Sequence, residues 1–244
     1  MTSPFDNFAW IYDRYFALHY EQWQRKAIDR LLLSDVRPGA HILDLCCGTG
    51  NLARLLTNDG YRVTGIDASD AMLKIARSRV PGATFLQADA VDFTLEPAVD
   101  AAVCGFDSLN NIMTADQLLR VFENVHAALL PQSLFVFDVN TSAAYGERWD
   151  QSYTEVHDDH AFFVRGGFDR EARIGRTCVT VFRLEGEWQR SDTEIHQRPW
   201  EIPELEAMLR ASGFGCVKTD DPQEDLGMSG PYGIGRVFFR AWSE

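Results

Sequence analysis

The 244-residue chain predicts an α/β protein: a doubly wound, mostly parallel seven-stranded sheet of Rossmann-like architecture, with a small antiparallel β insertion before the last helix. Three observations carry that expectation. From His41 to Asn140, short apolar runs alternate with amphipathic stretches of helical spacing. A glycine turn, "CCGTG", joins the first apolar run to the first of those helices. Past Asn140 the pattern changes to alternating, β-branched and aromatic segments, followed by one more helix and two strands.

The elements follow in order. Residues 5–33 read as helical, with Trp23, Ala27, Ile28, Leu31 and Leu32 at helical spacing, and Pro38 and Gly39 end the segment. "HILDL" is the first strand, and "NLARLLTNDG" is a helix with Gly60 as its stop. "YRVTGID" is a second strand, and "ASDAMLKIARSRV" a helix capped by Ser69 or Asp70. "ATFLQAD" and "VDAAVCGF" are the third and fourth strands, "ADQLLRVFENVHAALL" a long helix capped near Thr114, and "SLFVFDVN" the fifth strand. Strands of this apolar kind, separated by helices, form right-handed βαβ units covered on both faces. The insertion contains "AFFVRGGFD", "RTCVTVFRLEGEWQR" and "DTEIHQRPW", with Gly166-Gly167 and "EGE" as turn signals. "IPELEAMLRASGF" is the last helix, with Pro203 in its first turn and Gly213 at its end, before the strands "GCVKTDD" and "GRVFFRAW".

Composition narrows the class of partner. Hydrophobic content of 45% with 24% charged residues is that of a globular protein. No apolar run reaches the ~18 residues of a membrane helix, and "MTSPFDNFAW" lacks the basic-then-apolar pattern of a secretory leader. Cys46, Cys47, Cys104, Cys178 and Cys216 are scattered without zinc spacing, which fits a reducing cytoplasm. A net charge of −13 repels phosphate backbones and anionic lipid. The expected partner is a small-molecule acceptor, not nucleic acid or a membrane, and the expected location is cytoplasmic.

Three acids sit at the ends of consecutive predicted strands. Asp44 precedes Gly48-Thr49-Gly50, Asp67 ends the second strand, and Asp89 ends the third. Ligands of open α/β sheets bind at that edge. The glycines allow a tight turn and close approach of backbone to ligand, and an acid in the position of Asp67 accepts from ribose hydroxyls. Gly48-x-Gly50-x-x-Ala53 also fits a dinucleotide fingerprint. Asp44 argues against it, because a pyrophosphate would meet a carboxylate there, whereas an ammonium group would be welcome. Asp89 in "LQADA" is placed to accept from an adenine amine, and no hydride-handling His or Lys follows in the later strands. A phosphate-binding Gly-Lys-Ser/Thr sequence is absent.

The stretches "HILDLCCGTG", "RVTGIDASDAMLKIAR", "ATFLQADAVDF", "DAAVCGFDSLNNI" and "ALLPQSLFVFDV" resemble the class I S-adenosylmethionine-dependent methyltransferases. Within them the chain looks similar to small-molecule enzymes of the glycine and sugar N-methyltransferase kind, with their N-terminal "YD…Y…W" helix and a β insertion before the last helix. The resemblance implies S-adenosyl-L-methionine as cofactor. It sets Gly48 and Gly50 beside the methionyl moiety, Asp44 on the amino-acid part, and Asp67 on the ribose with Ala68 and Met72 nearby. It sets Asp89 and Ala90 at the adenine, Phe106 beside the cofactor, and Tyr12 and Trp23 closing over it. Cys46 stands where the family has glycine, at a position where small side chains are tolerated. Pro131-Gln132 replaces a usual proline-glycine in a turn.

Asp107, Ser108 and Asn110, with Asn111, follow the fourth strand and are read either as an acceptor-binding wall or as a helix-capping cluster. His19, in the N-terminal segment, is a further acceptor-side candidate. Cys46 and Cys47 point to opposite faces and read as packing, not as a metal or redox pair. His157, His160 and His196 lack ligand spacing, so no metal is expected. No residue is assigned as catalytic. The chain divides into an N-terminal lid (1–36), a cofactor-binding core (37–142 and 201–244) and an insertion (143–200) that forms part of the acceptor pocket, in a monomer or homodimer. An NAD-dependent oxidoreductase and a non-catalytic cofactor-binding regulator are the alternative functions.

Overall fold

In a computed structural model, residues 3–17, 25–228, 230 and 233–244 are described. The apolar runs form five parallel strands: β1 (His41–Leu45), β2 (Arg62–Asp67), β3 (Thr84–Gln87), β4 (Val99–Cys104) and β5 (Leu129–Asn140). Two C-terminal strands, Phe214–Asp220 and Arg236–Ser243, lie antiparallel beside them. They are β10 and β11 in chain order, and the seven-stranded sheet runs β10-β11-β5-β4-β1-β2-β3.

Both faces of the sheet are covered, as the period of β1 requires. Leu43 and Leu45 face one core cluster, which includes Phe122, Phe135 and Leu205, while Ile42 faces the other, which includes Leu32, Ala53 and Leu73. The helices include α1 (Ala9–Ile11), α2 (Asn51–Asn58), α3 (Asp70–Arg79), α4 (Ala115–Ala128), α5 (Ser142–Arg148) and α6 (Ile202–Ala211); α2, α3, α4 and α6 supply Ala53, Leu73, Phe122 and Leu205, while α1 and α5 lie nearer the insertion. Ser69 accepts from the Met72 amide at 3.1 Å and Thr114 from the Gln117 amide at 3.3 Å, so both predicted caps form. Glu201 and Glu204 close a capping box on α6, with Pro203 in its first turn.

The insertion is a separate antiparallel meander of β6 (Ser152–Val156), β7 (His160–Asp169), β8 (Ile174–Glu185) and β9 (Glu187–Gln197). Phe162, Val179, Val181 and Ile195 on one of its faces cluster with Phe8, Ala9 and Ile11. The N-terminal helix is therefore held between the insertion and the core. Among the described residues no helix is long and apolar enough to cross a membrane.

Four details depart from the sequence reading. The N-terminal segment is not one regular helix. α1 passes into a π-helical stretch, Tyr12–Phe16, and a second such stretch covers Asp29–Leu33. β5 begins at Leu129, so Pro131-Gln132 falls within its irregular start, where Gln132 takes φ +60°. The short helix α5 was not legible, because its one strong apolar anchor is Tyr145. Gly166-Gly167 is not a turn but lies inside β7. The "EGE" signal does mark one, with Gly186 at φ +83° between β8 and β9.

Gly166 is needed for space: a Cβ there would collide with the Trp149 carbonyl oxygen, whereas one on Gly167 meets nothing within 4 Å. Gly166→Ala should destabilise the protein by about 1–3 kcal/mol, the usual range for overpacking. Gly167→Ala should leave the thermal midpoint nearly unchanged. Equal midpoints for the two variants would show that the β7 backbone yields at this point.

Candidate functional site

The chain builds β1, β2 and β3 outward on one side, then returns to place β4 on the other side of β1. A crevice opens at the carboxyl ends of β1 and β4, where strand order reverses. Asp44, next to last in β1, is 2% exposed. Its Oδ2 is buried with no hydrogen-bond partner. Burial, and secondarily the neighbouring Asp67 carboxylate, pushes its pKa up to about 8. An orphaned buried carboxylate oxygen is costly. It is an acceptor suited to a cationic donor, and the α-ammonium of an aminoacyl cofactor fits it.

Asp67 ends β2 and braces the turn. It accepts from the Gly48 amide at 2.8 Å and from the Ser69 amide at 2.8 Å, while burial holds its pKa raised. Each carboxylate oxygen keeps a second lone pair, so the group can still accept from two hydroxyls. Gly48 and Gly50 adopt φ +53° and +77°. Gly50 also lets α2 approach α3, since a Cβ there would lie 3.0 Å from that of Ala76. Cys46 takes φ +56°, which explains why glycine is the easier residue at this position. It packs with the core cluster that contains Cys104, and Cys47 with the opposite one. The two thiols thus point to opposite faces, as adjacent strand-end residues should. Both are free.

Tyr12 stands over this turn. Its ring carbon would be 3.7 Å from a Cβ at Gly48, and its ring centroid is 6.0 Å from that of Phe106. Burial, followed by the carboxylates of Asp107, Asp67 and Asp44, raises its pKa well above the usual phenol value. Nearby, Met72 is buried and Ala68 is exposed. Asp89 is exposed and accepts from the Val91 amide at 2.9 Å, and the buried Ala90 accepts from the Asn124 side chain at 3.2 Å.

Phe106 and Asp107, just past β4, adopt φ +63° and +45°, a left-handed pair without glycine. Asp138 on β5 holds them there. It accepts from the Phe106 amide at 2.8 Å and from the Asp107 amide at 3.0 Å, and is ion-paired to Arg236 of β11. Arg236 reaches Asp107 at 2.6 Å. Gln197 of β9 donates to the other Asp107 oxygen at 3.0 Å and accepts from Tyr145 at 3.4 Å. The sequence reading missed Asp138, Arg236 and Gln197. The usable signal was a single acid inside the otherwise apolar run "LFVFDV".

The residues expected at the site separate into groups. Tyr12, Asp44, Cys46, Gly48, Gly50, Asp67, Phe106 and Asp107 gather at the crevice, with Ala68, Met72, Asp89 and Ala90 along the β2 and β3 ends. Ser108 donates to the Gly105 carbonyl at 2.8 Å. Asn110 is fully buried, and its amide binds backbone throughout: Asn140 N at 2.9 Å, Asn140 O at 2.8 Å and Arg198 O at 2.7 Å. Its amide is therefore committed to joining β5 to the end of the insertion. Trp23 and His19 lie outside the described residues. Among the described residues no group of three or more His, Cys, Asp or Glu side chains is arranged to hold a metal ion. His160 instead pairs with the Tyr15 hydroxyl and with Asp159, at 2.6 Å from the latter.

A family model described as a methyltransferase domain matches residues 42–132. The putative methyltransferase YqeM of Bacillus subtilis (strain 168) is 32% identical, over 97% of this chain and 96% of its own. The dTDP-3-amino-3,6-dideoxy-alpha-D-glucopyranose N,N-dimethyltransferase of Streptomyces fradiae is 31% identical over 53% of this chain and 52% of its own. An S-adenosylmethionine-dependent methyltransferase from Clostridium acetobutylicum ATCC 824 has the same fold, with a TM-score of 0.79 at 21% identity over 99% of both chains. The chain belongs to the methyltransferase family.

The state of Asp44 gives a test with a definite sign. Its folded pKa, about 8, lies above its unfolded value, which is near 3.9. The stability contributed by the neutral form is therefore complete below about pH 4 and is lost as pH rises through about 8. In the ligand-free protein, Asp44→Asn should raise the thermal midpoint near pH 8.5 by on the order of 5 °C, with the advantage gone near pH 4. A pH-independent difference between the two proteins would mean that Asp44 does not titrate in this range.

Proposed function

We propose that the chain transfers a methyl group from S-adenosyl-L-methionine to a small-molecule acceptor, with an amine nitrogen as the first candidate. The observation that carries this reading is the buried, partly unpartnered Asp44 carboxylate beside a left-handed glycine turn, with Asp67 at the next strand end. Such a pair matches a ligand with an ammonium at one end and a ribose diol at the other. A pyrophosphate would be repelled by Asp44, which disfavours an NAD-dependent oxidoreductase. When bound, the cofactor supplies a methyl group already activated on sulfur, so displacement needs alignment more than acid–base chemistry.

In this reading Asp44 holds the ammonium, Asp67 the ribose hydroxyls, and Asp89 with Ala90 the adenine. Cys46, Gly48 and Gly50 line the methionyl part, with Ala68 and Met72 beside the ribose. Tyr12 and Phe106 cover the cofactor. Residues 1–36 act as a lid, and residues 143–200 complete an acceptor pocket in which Asp107 and Ser108 form one wall. The amine preference is supported by the acidic residues around Tyr12 and by the relative whose name specifies N,N-dimethylation of an amino sugar. A base is required only for an acceptor that arrives protonated.

Calorimetry with S-adenosylmethionine and with NADH should give micromolar binding of the first and none of the second, and the reverse result would overturn the proposal. Asp67→Ala should weaken cofactor binding by ~1–3 kcal/mol, the loss expected for hydrogen bonds to a charged acceptor. Mass analysis of a metabolite pool incubated with enzyme and cofactor would then identify the acceptor by its gain of a methyl group.

A further inference from the structure

Arg79, the last residue of α3, joins two parts of the molecule that are distant in sequence. One guanidinium nitrogen donates to the Thr49 carbonyl at 2.6 Å and to the Thr49 hydroxyl at 2.9 Å. Another meets the Asp13 carboxylate at 2.6 Å. Thr49 is the middle residue of the glycine turn and is 1% exposed. Asp13 directly follows Tyr12, whose ring stands over Gly48. The Arg79 and Asp13 side chains are 22% and 25% exposed, so water screens this pair less than an open surface bridge. A planar fork with several fixed donors can serve two partners at once, which a lysine ammonium does poorly.

A second tie acts elsewhere on the same segment. Asp6 accepts from the Ser69 hydroxyl at 2.6 Å and from the Ala71 amide at 3.3 Å, anchoring the start of the N-terminal segment at the head of α3. Aromatic packing against Phe162 anchors its outer face. Neither hydrogen-bonds the turn itself, and the Asp6 tie reaches it only at second hand, through Ser69 and Asp67. Among the described residues, the Arg79 bridge is the hydrogen-bonded link that runs from the residue after Tyr12 directly to the backbone of the turn.

We propose that Arg79 is a positioning residue for the cofactor site, coupling the closed position of the N-terminal helix to the shape of the glycine turn. Filling the turn and closing the helix then favour one another, and by linkage each effect equals the other. The inference rests on the cofactor reading above.

The test uses the full chain, with Arg79→Gln, Asp13→Asn and the double variant. Affinity for S-adenosylhomocysteine is measured by calorimetry and amide exchange by mass spectrometry. In the wild type, the ligand should slow exchange at both residues 9–17 and α2. Each single change should weaken binding roughly tenfold, the size expected for one charge-assisted contact. Each should also abolish the ligand's protection of 9–17 while leaving that of α2. The double variant should be no weaker than Arg79→Gln alone. Multiplying losses, or surviving protection of 9–17 in Arg79→Gln, would overturn the coupling.

Arg79→Lys guards against a folding defect, since it keeps the positive charge at the helix end. It should retain the thermal midpoint yet lose protection of 9–17, and full protection in this variant would also count against the proposal. If the wild type binds no S-adenosylhomocysteine, the cofactor reading fails by itself. The bridge is then judged in the ligand-free protein, where Arg79→Gln must speed exchange at 9–17, and unchanged exchange would refute it.

Discussion

Asp138 lies near the end of β5 with almost no exposure, and the groups that converge on it include two consecutive backbone amides from the turn after β4 and the Arg236 guanidinium from β11. Burial holds its pKa raised, and the nearby Asp107 adds to that, while Arg236 opposes it. Two carboxylates thus share one buried cation. Removing either kind of partner would strand a charge in the interior, which costs far more than an exposed pair contributes. The arrangement also fixes geometry. Left-handed Phe106 and Asp107 persist because a carboxylate captures both their amides. Through Gln197 and Tyr145 the same network reaches the insertion and α5. The crevice wall, the sheet edge and the insertion are therefore positioned by one connected set of charges and hydrogen bonds.

The opposite side of the crevice is held mainly by packing. Phe8, Ala9 and Ile11 bury against Phe162, Val179 and Val181, so the N-terminal helix has apolar contacts on its insertion side. Toward the core it packs on Met72 and Ile75 of α3 and makes polar ties through Asp6 and Asp13. Apolar burial is nondirectional and roughly proportional to area. Ion pairs and hydrogen bonds fix register. Apolar packing thus holds the helix between the insertion and α3, and the polar ties add direction to that hold.

The parallel sheet and its helices were legible because β1, β2 and β4 are buried on both faces and read as continuous apolar runs, while Ser69 and Thr114 cap where caps were expected. The acids at the strand ends were legible for the same reason: Asp44 and Asp67 interrupt apolar runs immediately before turns. Gly166-Gly167 misled because the sequence cannot distinguish a glycine that turns from one that admits a neighbouring carbonyl. Asn110 was ambiguous because its hydrogen-bond partners, at Asn140 and Arg198, are backbone atoms that no residue pattern reveals. Arg236, Gln197 and Arg79 escaped for a third reason. Each acts across a long sequence separation, and an arginine or glutamine in a strand or at a helix end looks like surface until its partner is known.

The site carries several unfavourable features together. Asp44 is buried with an open oxygen, Asp67 is close enough to raise its pKa, and Cys46 holds a left-handed conformation. None of these stabilises the fold. Each becomes reasonable if a ligand bearing a cation and hydroxyls completes the crevice, because the ammonium offsets the desolvation of Asp44 and Asp67 accepts further donors without moving. Such strain is tolerated only where the surroundings over-determine it. Here the surroundings are Asp138 with Arg236 on one side and the packed N-terminal helix on the other. The rigid frame makes the strained centre possible, and the strained centre accounts for part of the frame.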